Sequence, residues 1–475
     1  MPSTFKQRGR LVVVCLATAM LMLDIAVVNT ALPYMARDLH AGLTGVEWVV
    51  DAYTLALAAV VLSAGSVSDR RGRRLVFATG MACFTVASLV CGLAGTVALL
   101  DVARAGQGVA AALMFASSLA ILADAFPGPR ERAGAMAAYG ATIGASFAVG
   151  PAVGGALTSG LSWRAVFFVN VPLGLLALIG TFTWVRESRG GRVRKLDWPG
   201  QILLTGGLFL LVLALLRGHL DGWRSTQTLV ELAGAAGLLL AFGLVESRVG
   251  EPMLPLGFFR HRDFSAAQIA VFAISSSFFA LYLYMTLYLQ NVLRLSAFDA
   301  GLVYAPGAVL LFVVSAASGG LTARVRPGLI VVAGLSLVAA GLALMLIIGS
   351  RSAWTAILPG DLIVCAGTGL FNPAAAVLAL DAASGDDSGL MAGVNDVFRQ
   401  GGMALGVAAY GALVPAAAAL GHGGAGSYVA GLHHALLVGV AVALAGAFVT
   451  AVLIGRAARK PSASFHVAEA AADTV

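Results

Sequence analysis

Charged residues are scarce in this chain of 475 residues. Asp, Glu, Lys and Arg together make up 11% of it and hydrophobic residues 59%, whereas about a quarter of the residues in a soluble globular protein are charged. This composition excludes an ordinary soluble protein. The net charge is +7, but the basic residues form no patch interleaved with aromatic residues, which excludes nucleic acid as a partner. The sequence therefore predicts a polytopic protein of the lipid bilayer.

Residues suited to metal or covalent chemistry are also few. The four cysteines lie in or beside apolar runs and form no CxxC pair, so neither a disulfide framework nor a metal site is expected. The chain has no HExxH motif, and its apolar runs hold no set of serine, histidine and acid of the kind that a hydrolase needs. We therefore expect a protein that is not an enzyme and that uses no cofactor.

Long apolar runs fill most of the chain. Fourteen of them reach the roughly 17 to 25 residues that cross a hydrocarbon core. They lie near 11–31, 46–66, 75–97, 99–123, 134–158, 165–185, 199–217, 229–246, 265–290, 301–321, 328–348, 355–376, 400–419 and 432–455. Most of the 30 Lys and Arg residues fall in alternate loops, and basic residues near span ends are retained in the cytoplasm. Both termini are therefore predicted to be cytoplasmic.

Two charged segments divide these spans into groups of six, two and six. The predicted units are a six-helix bundle over 1–190, a two-helix insertion with linkers over 191–262, and a six-helix bundle with a tail over 263–475. Paired six-helix bundles are a transporter architecture whose substrate site lies near the midplane, where the bundles face each other. The fold class predicted is an all-α membrane protein.

Ionisable residues inside spans are costly in hydrocarbon, and each is a functional candidate by default. Asp24 lies near the middle of the first span in LDIAVVNTALP, with Asn29 further along the same helix. A buried carboxylate there can load and release a proton, or it can be a structural group that is hydrogen-bonded to a neighbouring helix. Asp51, near the outer end of the second span, is the first alternative if Asp24 is locked in a helix contact, although it can also be interfacial.

Arg104 begins the fourth span in ARAGQGVAAAL, and Gln107 follows on nearly the same helix face. An arginine stays charged, so within a span it must find a carboxylate, carbonyl groups or water. It can therefore tune a nearby acid. The ordinary alternative is an ion pair with Asp101, three residues earlier on the same helix.

The loop GSVSDRRGRR joins the second and third spans. Gly65 and Gly72 allow two helix ends to approach closely, and Asp69 stands among four arginines that include Arg70 and Arg73. This pattern is typical of an ion-paired latch. The alternative is a basic loop that only orients the protein in the membrane.

The fifth span contains GxxxGxxxxxGPxxGG. Small residues spaced four apart allow close helix contact, and a proline in a helix removes a backbone hydrogen bond and kinks it. A general packing helix needs the glycine spacing but not GPxxGG. The residues predicted to form this bend are Gly144, Gly150, Pro151, Gly154 and Gly155.

Taken together, these segments resemble the major facilitator superfamily, and fourteen spans resemble its drug:proton antiporter branch. The resemblance implies that Asp69 and its arginines close the cytoplasmic ends of spans two and three in the outward-facing state. It implies that Arg104 takes part in proton coupling and that the glycines of span five bend that helix beside the cavity. Asp24 would be the carboxylate shared between proton and substrate, with Asn29, Asp51 and Gln107 nearby in the substrate site.

The function that these features predict is export of amphipathic small molecules, including drugs or antibiotics, in exchange for protons. One carboxylate that cannot hold proton and substrate together gives the exchange. The alternative is a facilitator that imports a small metabolite, which would need more polar groups in its spans than the sequence offers. The richness in Ala, Gly and Arg over Lys favours a GC-rich bacterial genome, and we expect a monomer in the bacterial inner (plasma) membrane.

Overall fold

The protein is described here from a computed structural model. The described residues are 4–126, 128–189, 197–254, 256–322, 324–380, 388–421 and 423–457. The predicted boundary between residues 190 and 191 lies outside them, and so does the C-terminal tail after residue 457. Within them the fold is all-α, as predicted.

The N-terminal half consists of helices that follow one another in sequence order. They are α1 (Thr4–Asp38), α2 (Leu43–Arg71), α3 (Arg73–Leu93), α4 (Val97–Ala125), α5 (Pro129–Gly160), α6 (Ala165–Phe168) and α7 (Asn170–Trp184). Only Gly72 separates α2 from α3, and its φ of 116° is a backbone conformation that other residues rarely adopt. The fourth helix begins at a capping residue, because the Thr96 side chain accepts a hydrogen bond from the Leu99 backbone amide at 3.3 Å.

A pair of helices follows the first half, α8 (Trp198–Asp221) and α9 (Thr226–Glu246). They form a hairpin that is joined near its turn by an ion pair of 2.7 Å between Arg217 and Glu231. Gln201 of α8 donates a hydrogen bond of 2.7 Å to the Ala59 carbonyl of α2. The hairpin is therefore fixed to the second helix by a polar contact within the apolar region.

The C-terminal half contains the remaining helices. They are α10 (Arg262–Ile274), α11 (Ala280–Leu287), α12 (Ala297–Val303), α13 (Ala305–Thr322), α14 (Pro327–Leu344), α15 (Leu358–Leu380), α16 (Ser388–Gly411), α17 (Ala416–Ala419) and α18 (Ala425–Ala457). A π-helical turn over Ser275–Phe279 joins α10 to α11, so that these two form one long span.

The structure does not confirm the predicted number of spans. Twelve helical segments in the described part of the chain are long and apolar enough to cross a membrane, and α5 makes a thirteenth if its two halves, bent by 43°, are one span. The count of fourteen is therefore not confirmed. The window predicted at 400–419 covers the second half of α16 and the short α17. Helix α16 carries Asp396 and Arg399 and is not among the twelve.

The two halves meet along two seams. In the first, α2 runs antiparallel to α16, with Glu47 beside Gly411 at one end and Leu62 beside Gly393 at the other. In the second, α5 packs against α12 and α13. Helix α8 covers the first seam through an apolar cluster that it shares with α2 and α16. The predicted topology places the ends of the seams at Glu47 and α12 on the outer side.

Candidate functional site

Asp24 is the centre of a buried polar cluster in the N-terminal half. Its side chain is fully buried, and its Oδ2 accepts a hydrogen bond of 2.5 Å from Arg104 Nη1 of α4. The other carboxylate oxygen accepts from Gln107 Nε2 at 3.1 Å and from Asn170 Nδ2 of α7 at 3.0 Å. Three helices are thus joined through one carboxylate.

Arg104 ties a further helix into this cluster. Its Nε donates a hydrogen bond of 2.9 Å to the Val49 carbonyl of α2, and its guanidinium lies 4.3 Å from the centre of the Tyr53 ring. Gly108, one turn later, lets α4 approach α2 closely, because a Cβ at this position would collide with the Tyr53 carbonyl. A charge pair this deeply buried is stable only when its remaining polar atoms are also paired, and the amides supply those partners.

The structure therefore brings together three of the residues singled out from the sequence, Asp24, Arg104 and Gln107. All the described hydrogen-bond partners of Asp24 belong to the N-terminal half. Asn29 lies outside this cluster, because its Nδ2 donates to the Ile25 carbonyl of its own helix at 3.2 Å. Asn170 was not among the predicted residues.

Asp51 belongs to a second buried group, on the face of α2 that meets the C-terminal half. Neither of its carboxylate oxygens has a hydrogen-bond partner among the described residues. Glu47, one turn earlier, is 2% exposed and contacts the hydroxyl of Tyr284 in α11 at 2.8 Å. That hydroxyl also lies 2.6 Å from the Val407 carbonyl of α16. Glu47 thus contacts the opposite half of the molecule, and Asp51 lies one turn further along the same helix.

Sequence reasoning missed Glu47 and Tyr284. The signal for Glu47 was its position in EWVVDAYTLAL, since acids four residues apart share one face of a helix. Tyr284 has no comparable signal, because it lies 237 residues away from Glu47 in an aromatic span.

The predicted latch lies at the cytoplasmic end of α2 in the predicted topology. Asp69 Oδ1 accepts hydrogen bonds from Arg73 Nε at 3.1 Å and Nη2 at 3.0 Å. Arg73 Nη1 also donates to the Ala120 carbonyl of α4 at 3.3 Å, whereas Arg70 is exposed. The described contacts of this ion pair therefore join α2, α3 and α4 within one half.

Gly72 and Gly65 differ in what surrounds them. A Cβ at Gly72 would collide with the Glu187 carboxylate, whereas one at Gly65 would meet nothing within 4 Å. Glu187 accepts hydrogen bonds from the backbone amides of Arg74 at 3.0 Å and Leu75 at 3.2 Å. An acid that receives two amides at a helix N-terminus stabilises that end of the helix, so Gly72 leaves room for a cap on α3.

Two of the glycines in α5 face α1. A Cβ at Gly150 would collide with Ala26, and one at Gly154 with Val27. Asp24 precedes these residues of α1 by only two or three positions. The close contact of α5 with α1 therefore lies next to the buried carboxylate.

The rest of the motif faces the C-terminal half. A Cβ at Gly155 would collide with the backbone of α12, the Pro151 carbonyl lies directly against Gly301, and a Cβ at Gly144 would lie 3.9 Å from the Phe312 ring. The two parts of α5, up to Ser146 and from Val149, meet at 43°. The bent helix thus packs against both halves at once.

Comparison with known proteins agrees with this architecture. The family model of the Major Facilitator Superfamily matches residues 14–407, and the chain therefore belongs to that superfamily, as the motifs predicted. The Multidrug resistance protein Stp of Mycobacterium tuberculosis is 34% identical over 400 residues, which is 84% of this chain and 74% of Stp. The Drug efflux pump JefA of the same organism is 34% identical over 477 aligned positions, 99% of this chain and 93% of JefA.

A solved structure shares the fold. The human organic anion transporter MFSD10 superposes with a TM-score of 0.62 at 16% sequence identity, covering 95% of this chain and 100% of that one. At this identity the likeness concerns the fold alone.

Proposed function

We propose that this protein exports amphipathic small molecules, drugs and antibiotics among them, across a bacterial plasma membrane in exchange for protons. Its relatives are named for multidrug resistance and drug efflux, which supports the direction of transport. We further propose that it works as a monomer with both termini in the cytoplasm, and that the proton gradient is its only energy source.

One observation supports proton coupling above the others: the hydroxyl of Tyr284 faces two acceptors. It lies 2.8 Å from Glu47 Oε1 and 2.6 Å from the Val407 carbonyl, but a phenol has a single hydrogen to donate. If Glu47 is ionised, Tyr284 can serve only one of the two. If Glu47 is protonated, its own O–H donates to the Tyr284 oxygen and Tyr284 donates to Val407, so both contacts are hydrogen bonds.

Protonation of Glu47 would therefore stabilise the contact between the two halves. In the predicted topology this contact lies on the outer side, where it forms only when that side is closed. A proton arriving from outside would then close the outer side of the empty carrier and allow it to return to the inward-facing state. That is the step that proton-driven export requires of the proton-loaded protein.

Asp51 lies one helical turn deeper than Glu47 on α2. Two neighbouring buried carboxylates without a described cationic partner are poorly stable when both are ionised, so one proton shared between them is the favoured arrangement. Asp51 can pass this proton toward the cytoplasm when the inner side opens.

The Asp24–Arg104 pair has a different proposed part. Arg104 already neutralises Asp24 in this conformation, so Asp24 can take a proton or a cationic substrate only after Arg104 has moved away. Movement of α4 relative to α1 would expose the carboxylate, with Gln107 beside it, to the central cavity. We propose that this exposure accompanies substrate binding from the cytoplasm.

Transport into inside-out vesicles tests this function. An acid-inside pH gradient should drive uptake of lipophilic cations or neutral antibiotics, and dissipating the gradient should abolish it. Glu47→Gln, whose amide can donate to Tyr284 at any pH, should lower gradient-driven uptake by about tenfold or more, which corresponds to roughly 1.4 kcal/mol of lost coupling, and Asp51→Asn should do likewise. Substrate exchange without a gradient should persist in both variants.

The matched control is Asp221→Asn, the same change at an exposed residue of α8, which should transport normally. Full gradient-driven uptake by Glu47→Gln at normal protein levels would remove these acids from the coupling. Accumulation of a metabolite in whole cells, which is transport in the opposite direction, would instead show that the protein is an importer.

A further inference from the structure

Asp361 is a buried acid that the proposed exchange does not use. It lies in the first turn of α15 and is 2% exposed. Its Oδ2 has no hydrogen-bond partner among the described residues. Its Oδ1 has a weak donor, the Cys365 thiol at 3.9 Å. The carboxyl group is thus enclosed in the C-terminal half with most of its hydrogen-bonding capacity unused.

A small cavity adjoins this carboxyl group. It has room for about one water molecule and is lined by Asp361 together with apolar and aromatic side chains, none of which is cationic. The hydroxyl of Tyr282 has no described hydrogen-bond partner, and that of Tyr304 lies 3.3 Å from Thr286 Oγ1. The two tyrosine rings stand 4.4 Å apart. Asp361 therefore faces hydroxyl groups and a water-sized space.

The fold keeps space free for the unpaired oxygen. Gly307 of α13 faces Asp361, and a Cβ at that position would collide with Oδ2. The other elements packed here contribute Phe278 and Met285 from the long span of α10 and α11, and Leu342 from α14. Apart from the tyrosines and Cys365, the described residues that line this space or contact Asp361 have no titratable atom.

We propose that Asp361 is a second proton-binding residue of the transport cycle, located in the C-terminal half. This inference rests on the proposed proton exchange and adds a proton to it. A buried acid without a cation is stable when it holds a proton, and the adjoining space is large enough for one water molecule that could receive that proton. In each cycle an O–H bond forms on the carboxylate with a proton from outer-side water and breaks by release of that proton to water on the inner side.

The position of Asp361 suits this role. It lies at the start of α15, which the predicted topology places near the outer surface. The same topology places Glu47, at the start of α2, near that surface too. Each half of the transporter would then present one acid site to the outside. Two such sites imply two protons for each exported molecule.

Measurement of stoichiometry tests the proposal. Inside-out vesicles clamped at zero membrane potential are loaded with ethidium as the probe, and its steady-state accumulation ratio is measured at several imposed pH differences. The logarithm of that ratio rises with pH difference by a slope equal to the number of protons exchanged, about one decade per unit for each proton. We expect a slope of about two for the unmodified protein and about one for Asp361→Asn.

The outcomes separate this inference from the function on which it rests. A slope near zero in the unmodified protein would overturn the proton exchange itself. A slope that is the same in Asp361→Asn and in the unmodified protein, at any non-zero value, would overturn the role of Asp361 alone. Loss of ethidium binding in Asp361→Asn with the slope for a neutral substrate unchanged would make Asp361 a cation site instead and would also overturn it. The control Asp221→Asn should keep the unmodified slope.

A labelling experiment on the unmodified protein covers the case in which Asp361→Asn fails to fold. Dicyclohexylcarbodiimide reacts with protonated carboxyl groups in apolar surroundings, and peptide mapping by mass spectrometry locates the adduct. We expect modification of Asp361 that is greater at acid than at alkaline pH. Absence of the adduct on Asp361 in a sample where Glu47 or Asp51 is labelled would contradict the proposal.

Discussion

Two buried acids, one in each half of this transporter, differ in their partners. In the N-terminal half, Asp24 receives hydrogen bonds from three side chains, one of them the cationic Arg104. In the C-terminal half, Asp361 faces tyrosines and a small cavity, and its Oδ2 has no described partner. A fixed ion pair joins helices, whereas an acid without a cation is free to exchange a proton. We expect Asp24 to keep its charge in this conformation, whereas Asp361 can hold a proton without the movement of a cation.

The largest expected effect tests the first side of this comparison. Arg104→Gln leaves Asp24 as a buried charge without a cation, and breaking a buried pair in this way costs about 3 to 5 kcal/mol. Adding Asp24→Asn removes the stranded charge, so the double variant should be more stable than Arg104→Gln alone. Thermal unfolding in detergent measures both. A double variant no more stable than the single one would show that Arg104 acts mainly through Val49 and Tyr53.

Substitution of Asp24 should impair the transport of cationic substrates more than that of neutral ones. Asp24→Asn keeps the shape of the side chain but cannot titrate, and we expect export of cationic substrates to fall further than export of neutral ones, whose binding needs no countercharge. Asp24→Glu should retain part of the activity. Equal gradient-driven export of cations by Asp24→Asn and the unmodified protein would confine Asp24 to a structural role.

The residues of the cluster around Asp24 could be singled out from the sequence more readily than the contact between Glu47 and Tyr284. Asp24, Arg104 and Gln107 could be singled out because polar residues in apolar spans are rare and must find partners. Asn170 was missed because it lies at the start of a helix, where a polar residue is common and does not stand out as a candidate. The Glu47–Tyr284 contact could not be predicted, since it depends on how two halves of the molecule are placed against each other.

The same reasoning explains why α16 is not among the twelve apolar segments. Hydropathy measures contact with lipid, but α16 lies between α2, α8 and α10 and can therefore carry Asp396 and Arg399 without exposing them to lipid tails. Its apolar window began only after these charges, which is why the predicted span started at residue 400. The glycines and the proline of α5 could be singled out from the sequence, because that motif is local.

A smaller effect on stability is expected when a methyl group is added near each acid site, against backbone at one site and against a side chain at the other. Gly108→Ala presses a methyl group against the Tyr53 backbone, which cannot easily move, and overpacking of this kind costs about 1 to 3 kcal/mol. Gly307→Ala presses against the end of the Asp361 side chain, which can rotate away, so its cost in stability should be lower. Gly106→Ala is the matched control on α4, since a Cβ there meets nothing within 4 Å. Unfolding temperatures that rank Gly307→Ala below Gly108→Ala would contradict this account.

The smallest expected effect on stability concerns the latch, which differs from both acid sites in being partly exposed. Asp69 and Arg73 side chains are 37% and 19% exposed, and ion pairs open to solvent contribute only about 0 to 1 kcal/mol. Asp69→Asn should therefore leave protein levels and unfolding temperature nearly unchanged. Transport should nevertheless fall, because Arg73 would lose the partner that holds it near the Ala120 carbonyl of α4, and we expect that contact to form in one conformation of the transport cycle only. Vesicle uptake measured beside Asp221→Asn checks this, and normal uptake by Asp69→Asn would mean that the loop serves only to orient the protein in the membrane.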